Sequence, residues 1–101
     1  GETIGEALIR EVREETNLTV KEKHYFCSLP NKYRYSDFDV PTLDAFFVCK
    51  VEDETVLKAA DDVEEAMWLP LSEVHTEQFG LRSIRQALYD FLQMESKNLK
   101  K

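Results

Sequence analysis

The stretch Thr3-Ile4-Gly5-Glu6, continuing through Ala7-Leu8-Ile9-Arg10-Glu11-Val12-Arg13-Glu14-Glu15-Thr16 to Asn17, constrains this chain more than any other. Thr3 with Glu6 three positions later is a capping box, in which each side chain answers a backbone N–H left open at a helix start. Asn17 suits the end of that helix, because asparagine tolerates the left-handed conformation that glycine usually supplies there. The spacing predicts a helix over about residues 3–16. Leu8, Ile9 and Val12 populate its inward side. At about 100° per residue, Glu14 and Glu15 fall roughly 60° to one side and 40° to the other of Glu11. Three carboxylates therefore share one stripe over a single turn. Crowding like charges raises the energy of the ionised state unless a cation intervenes. Hard divalent ions that keep several waters, Mg²⁺ foremost, are what such oxygen ligands take. A solvated helix face balanced by Arg10 and Arg13 accounts for the same charges without a ligand.

The remainder reads as a sheet and a closing helix. Leu18 to Leu29 turns β-favouring, with Val20, Tyr25 and Phe26 the strongest markers. Pro30 to Pro41 reads as a polar and aromatic connection, too poor in apolar periodicity for helix. Thr42 to Val51 is the clearest strand, a nearly continuous apolar run that implies burial on both faces. Glu52 to Glu54 reads as a turn, Lys58 to Glu65 as an acidic loop, and Ala66 to Leu69 as a short strand stopped by Pro70. Ser72 and Glu73 begin a brief helix. Leu81, Ile84, Ala87, Leu88, Phe91 and Leu92 then lie on one apolar face of a helix over about residues 80–96. The basic, polar tail after Glu95 reads as frayed. Trp68 is expected in the core, and the last helix serves packing alone.

Composition narrows the function classes. With 13 basic and 20 acidic side chains, a net charge of −7 and a pI of about 4.8, the chain lacks the clustered Lys and Arg that grip nucleic-acid polymers. It shows neither an apolar run of membrane-spanning length nor a signal-peptide pattern. Its 101 residues make one small α/β domain. Cys27 and Cys49, without a CxxC pair or a nearby His, read as reduced core thiols of a cytoplasmic protein. His24 and His75 have no second ligand at metal-binding spacing.

The spacing Glu2, then seven residues, then Arg10-Glu11-Val12-x-Glu14-Glu15-x-Asn17-Leu18 closely resembles the Nudix box, G-x5-E-x7-R-E-U-x-E-E-x-G-U, where U is a bulky aliphatic residue. Glu2, Arg10, Glu11, Val12, Glu14, Glu15 and Leu18 match. Asn17 replaces the late Gly, and the opening Gly falls before Gly1, so the chain starts inside the box. Ser28-Leu29-Pro30-Asn31-Lys32-Tyr33-Arg34-Tyr35-Ser36 is similar to a diverged form of the S-Q-P-W-P-F-P-x-S segment of NADH-pyrophosphatase-like Nudix proteins. Asp61 to Val74, an acidic stretch before Trp68 and then Leu71-Ser72-Glu73-Val74, also resembles the close of a Nudix domain.

The resemblance implies an α/β/α sandwich with a mixed sheet, of which residues 1–101 form a part. It also implies divalent-metal hydrolysis of a nucleoside diphosphate linked to another moiety, such as an NADH-like dinucleotide, ADP-ribose or a nucleotide sugar. On this reading Glu11, Glu14 and Glu15 bind Mg²⁺, or Mn²⁺ in its place, with Glu11 and Glu15 the firmest. Arg10 holds the box carboxylates, and Glu2 supports it. The general base is a box glutamate such as Glu11 or Glu14, or an acid of the loop before the last strand. Asp62 fits that second role best, as base or further metal ligand, with Glu65 and Glu64 as alternatives; a solvated acidic turn is the plain reading of that segment. Tyr33, Tyr35 and Phe38 are candidates to stack on a base or ribose, or else pack over the sheet edge. Arg34 and Lys32 either meet a phosphate or are solvated.

Two other functions fit the same residues: a Nudix-like nucleotide sensor or interaction module without turnover, and a house-cleaning hydrolase of damaged nucleoside triphosphates. The first strands of such a domain are expected outside this chain, as a second polypeptide, an unseen segment or a piece removed by proteolysis. A homo-oligomer is compatible with all three readings.

Overall fold

The computed structural model describes residues 1–99, so Lys100, Lys101 and the extreme end of the expected tail lie outside the described residues. The elements follow as α1 (Ile4–Thr16), β1 (Val20–Tyr35), β2 (Phe38–Val51) and α2 (Arg82–Leu99), with short 3₁₀ turns at Glu54–Val56, Leu71–Glu73 and Thr76–Gln78. The α/β class is thus what the chain adopts. Among the described residues the sheet is the antiparallel pair β1-β2. None of their helices is long and apolar enough to cross a membrane.

The chain divides into two compact units, Gly1–Tyr25 with Phe47–Trp68, and Phe26–Phe46 with Leu69–Lys101. In the first, Thr3 caps α1: the Glu6 N–H donates to Thr3 Oγ1 at 3.1 Å, and that hydroxyl donates to Glu6 Oε1 at 3.0 Å. Asn17 ends the helix at φ 65°, its N–H donating to the Arg13 carbonyl at 3.0 Å. Both helix boundaries agree with the sequence reading. Leu18 and Val20 bury their side chains just beyond the helix, and Tyr25 meets Phe47 edge-on at 5.7 Å. A contact of that kind is worth about 0.5–1.5 kcal/mol beyond the area it covers.

The second unit corrects the expected connection at Pro30–Pro41. β1 runs on through Pro30 to Tyr35, and β2 already begins at Phe38. A two-residue turn at Ser36-Asp37 joins them, with Ser36 at φ 52°. Arg34 and Asp39 face each other across that turn, 3.5 Å apart. The segment hid its strand character because the turn carries Ser-Asp instead of the Asn-Gly or Asp-Gly that marks most tight hairpins. β2 is also less buried than its apolar run implied. It alternates between half-buried and exposed positions from Val40 to Phe46, and Leu43 is 71% exposed.

Three further expectations fail in the last third of the chain. Ala66–Leu69 forms no strand, and Trp68 is 53% exposed, not core. The indole N–H instead donates to the Glu54 carbonyl at 3.0 Å, so the ring is tied down by its polar handle. The closing helix starts at Arg82 and continues to Leu99 through the tail expected to fray. Its apolar face holds from Ile84 onward, where Ala87 is buried and Phe91 meets Phe26 edge-on at 5.9 Å, whereas Leu81 precedes the helix and is 38% exposed. Cys27 and Cys49 are free, half-buried thiols, and burial pushes both above the ordinary thiol value.

Candidate functional site

The site is built on α1. Arg10 is its hub: Nε donates to Glu2 Oε2 at 2.8 Å, Nη2 to Glu2 Oε1 at 2.9 Å, and Nη1 to Glu14 Oε2 at 3.1 Å. Nη2 also lies 3.8 Å from Glu11 Oε1. Glu2 precedes the helix and Glu14 lies one turn beyond Arg10, so one planar guanidinium ties the approach segment to the carboxylate stripe. This hydrogen-bonded cation holds the Glu2 carboxyl below the usual carboxylate range. Those same bonds raise the guanidinium further above its own ordinary value.

Glu11 and Glu14 are 59% and 60% exposed, so solvent screens their ion pairs and leaves oxygen lone pairs open. Glu15 is exposed as well, and no cation lies within ion-pair distance of it among the described residues. Within the described residues no three His, Cys, Asp or Glu side chains converge closely enough to hold a metal. Arg10 draws Glu14 toward Glu2, while Glu15 sits on the other side of Glu11 around the helix. By type alone, these exposed carboxylates are the oxygen donors that a hard divalent ion takes.

The C-terminal end of α1 is closed by the chain that follows β2. The Lys58 N–H donates to the Thr16 carbonyl at 3.0 Å and the Ala60 N–H to the Glu15 carbonyl at 3.1 Å, two acceptors that a helix end leaves open. Asn17 Nδ2 donates to the Val56 carbonyl at 2.9 Å. These bonds shape an open, polar hollow of about 420 Å³, lined by Arg13, Glu14, Asn17 and Lys58 to Asp61.

Asp61 therefore shares a hollow with a box carboxylate. Asp62 does not line it; it is exposed in the turn that the Val63 N–H closes on the Ala60 carbonyl at 2.9 Å. Glu64 and Glu65 are exposed further along an irregular stretch. Spacing from Trp68 singles out Asp62, whereas nothing in the sequence marks Asp61, Arg13 or Lys58 for the site. Only the pairing of loop amides with helix carbonyls brings those three together, and no residue type announces it.

The aromatic candidates belong to the other unit. Tyr33 is half-buried and hydrogen-bonds Asp44, whereas Tyr35 and Phe38 flank the hairpin turn at 57% and 63% exposure. Arg34 is engaged with Asp39, and Lys32 is exposed.

A family model, the NUDIX domain, matches residues 1–91. The chain belongs to the Nudix family. No curated protein and no solved structure gives a match. Membership carries the coarse chemistry: Nudix proteins are a family of pyrophosphate hydrolases that generally work with divalent metals. Within the Nudix box of this chain, Arg10 and Glu2 form the fork just described. Val12 lies half-buried and Leu18 buried at the two aliphatic positions. Asn17, in place of the Nudix glycine, adopts a left-handed backbone at φ 65°, a conformation that glycine also accepts.

Proposed function

We propose that this chain hydrolyses the pyrophosphate linkage of a nucleoside diphosphate joined to another moiety, with Mg²⁺ as the working ion. The NADH-like dinucleotides are the first substrates to try, on the resemblance of residues 28–36, with ADP-ribose and nucleotide sugars beside them. The observation that carries the reading is the Arg10 fork. It orders Glu2 and Glu14 on one guanidinium while Glu11 and Glu15 keep their oxygens toward solvent. A pure binding module has no need of that whole set.

Glu11, Glu14 and Glu15 are the residues that would hold the ion. Bound there, a divalent cation neutralises the pyrophosphate and makes a bound water more acidic. The protein contributes orientation: Arg10 fixes Glu14 through Nη1, and the capped helix fixes the spacing of all three carboxylates. A carboxylate of the acidic loop is the base on this reading, a role that requires it to come within hydrogen-bond reach of the attacking water. The free cysteines fit a reducing, cytoplasmic compartment.

The test is product analysis with Mg²⁺ on NADH, ADP-ribose and a nucleotide sugar, using Glu14→Gln and Glu15→Gln as controls. Two monophosphate-bearing products that vanish in both variants support the proposal. Inorganic pyrophosphate released from nucleoside triphosphates would shift the assignment to a house-cleaning enzyme. Nucleotide binding without turnover would make the chain a sensor.

A further inference from the structure

The hollow beside α1 has a feature that the box does not account for. Acids outnumber bases 20 to 13 in this chain, yet neither Arg13 nor Lys58 makes an ion pair with a carboxylate among the described residues. Both line the same hollow, next to Glu14. Arg13 is aimed by Nη1, which donates to Thr19 Oγ1 at 2.7 Å, and its other N–H groups make no hydrogen bond to the described residues. Lys58 is placed through its backbone, whose N–H is bonded to the Thr16 carbonyl at 3.0 Å, while its ammonium has no hydrogen-bond partner among them. Two cations from different segments thus line one hollow, Arg13 held through one guanidinium nitrogen and Lys58 through its backbone, with the rest of each charged group open.

We infer that Arg13 and Lys58 form a phosphate subsite that takes the phosphate of the substrate that is not attacked. The inference rests on the hydrolase reading for the identity of that substrate, but not for the presence of the site. A polyanion approaching a chain of net charge −7 needs local positive charge. Arg10 supplies little, because Glu2 and Glu14 already occupy it. Arg13 offers a planar donor fork suited to phosphate oxygens, and Lys58 a compact ammonium. The hollow, at about 420 Å³, is of the size that admits a small ligand. Glu14 and Asp61 on its rim reject a bare anion and favour one that arrives with a divalent cation.

The probe is inorganic pyrophosphate, titrated calorimetrically into the chain at fixed ionic strength with and without Mg²⁺. Steady-state hydrolysis of ADP-ribose is measured in parallel. Lys58→Gln and Arg13→Gln should each weaken pyrophosphate binding about tenfold, the loss of one charge-assisted contact. Each should raise KM for ADP-ribose by a similar factor while kcat stays within about twofold. Lys58→Gln breaks no hydrogen bond of the fold, so it keeps the test valid if Arg13→Gln unfolds. Lys50→Gln, which removes a cation paired with Glu22 at 3.7 Å on the strands, should leave binding unchanged. Binding that is lost in Lys58→Gln, in a protein that hydrolyses nothing, upholds the subsite and removes the hydrolase reading. Hydrolysis with KM and pyrophosphate affinity unmoved in both variants overturns the subsite and leaves the hydrolase reading standing. Failure of the unaltered chain to bind pyrophosphate, with or without Mg²⁺, overturns it as well.

Discussion

Ser83 Oγ donates to Asp44 Oδ2 at 2.7 Å, joining the first turn of α2 to the middle of β2. Ser83 is 2% exposed, the most buried side chain among the described residues. Asn31 Nδ2 completes the cluster, 3.1 Å from the same Asp44 oxygen and 3.0 Å from Ser83 Oγ. A polar knot therefore sits where an apolar core would be expected, and its partners make it sensitive to both mutation and acid.

Ser83→Ala should destabilise the fold by about 1–2 kcal/mol, because it removes a buried donor from an ionised acceptor. Asp44 gives the pH dependence. The Ser83 hydroxyl, with smaller help from Asn31, Thr42 and Tyr33, lowers its carboxyl below the ordinary value. A group lowered in the folded state binds its proton more readily when unfolded, so unfolding free energy rises with pH through that window. The contribution is complete above about pH 4 to 5 and fades as pH falls through the folded value. Denaturant melts of the unaltered chain and Asp44→Asn between pH 2 and 6 should converge at the acid end; parallel curves would refute this.

Arg10→Ala should raise the titration midpoint of Glu2, since the hydrogen-bonded guanidinium is what lowers it. Proton-coupled NMR shifts of the Glu2 carboxyl read this directly. The fork is half in solvent, so Tm should hardly move. If the proposed hydrolysis is correct, turnover should fall roughly 10- to 100-fold from misplaced carboxylates. An unchanged Glu2 midpoint would mean the fork does not form in solution.

Asn17 separates backbone from side-chain effects. Asn17→Gly keeps the left-handed backbone freely and loses only the bond to Val56, a cost below about 1 kcal/mol. Asn17→Ala loses that bond and also strains its Cβ at φ 65°, for about 2 kcal/mol together. Equal Tm values for the two variants would contradict the strain account.

Asp61 and Asp62 are neighbours in sequence but not in surroundings, and only Asp61 shares the hollow with Glu14. On whichever substrate the unaltered chain turns over, Asp61→Asn should lower kcat about tenfold or more, as expected on removal of a general base or ion-holding carboxylate. Asp62→Asn should stay within about twofold. The reverse order would return the role to Asp62.

α1 was legible almost residue by residue, because both its ends are written in local chemistry: Thr3 with Glu6 at the start, Asn17 at the stop. The apolar face of α2 was legible for the same reason, its periodicity being local. The hairpin was not, since a Ser-Asp turn has no strong sequence mark and Pro30 suggested an interruption. Trp68 misled because its size implies burial, while its indole N–H is satisfied by a carbonyl near the surface. Within the candidate site, the shared stripe of Glu11, Glu14 and Glu15 was legible from spacing on one helix, and Glu2 and Arg10 only through the resemblance to the Nudix box. Arg13, Lys58 and Asp61 depend on hydrogen bonds between segments about 40 residues apart, which no local pattern encodes.

Those bonds run in order: as one side descends through Thr19, Asn17, Thr16 and Glu15, the other climbs through Glu52, Val56, Lys58 and Ala60. The two stretches are zipped at four points, so their lengths are locked to each other. One residue inserted between Glu52 and Ala60 would slip the zipper and carry Asp61 and Lys58 away from Glu14. One inserted at Ser36-Asp37, or beyond Trp68 among the short turns that lead to α2, meets no such lock. Among proteins descended from this one, changes of length should therefore gather at the hairpin tip and in the later loop, and the segment from Glu52 to Ala60 should keep its length even where its residues drift.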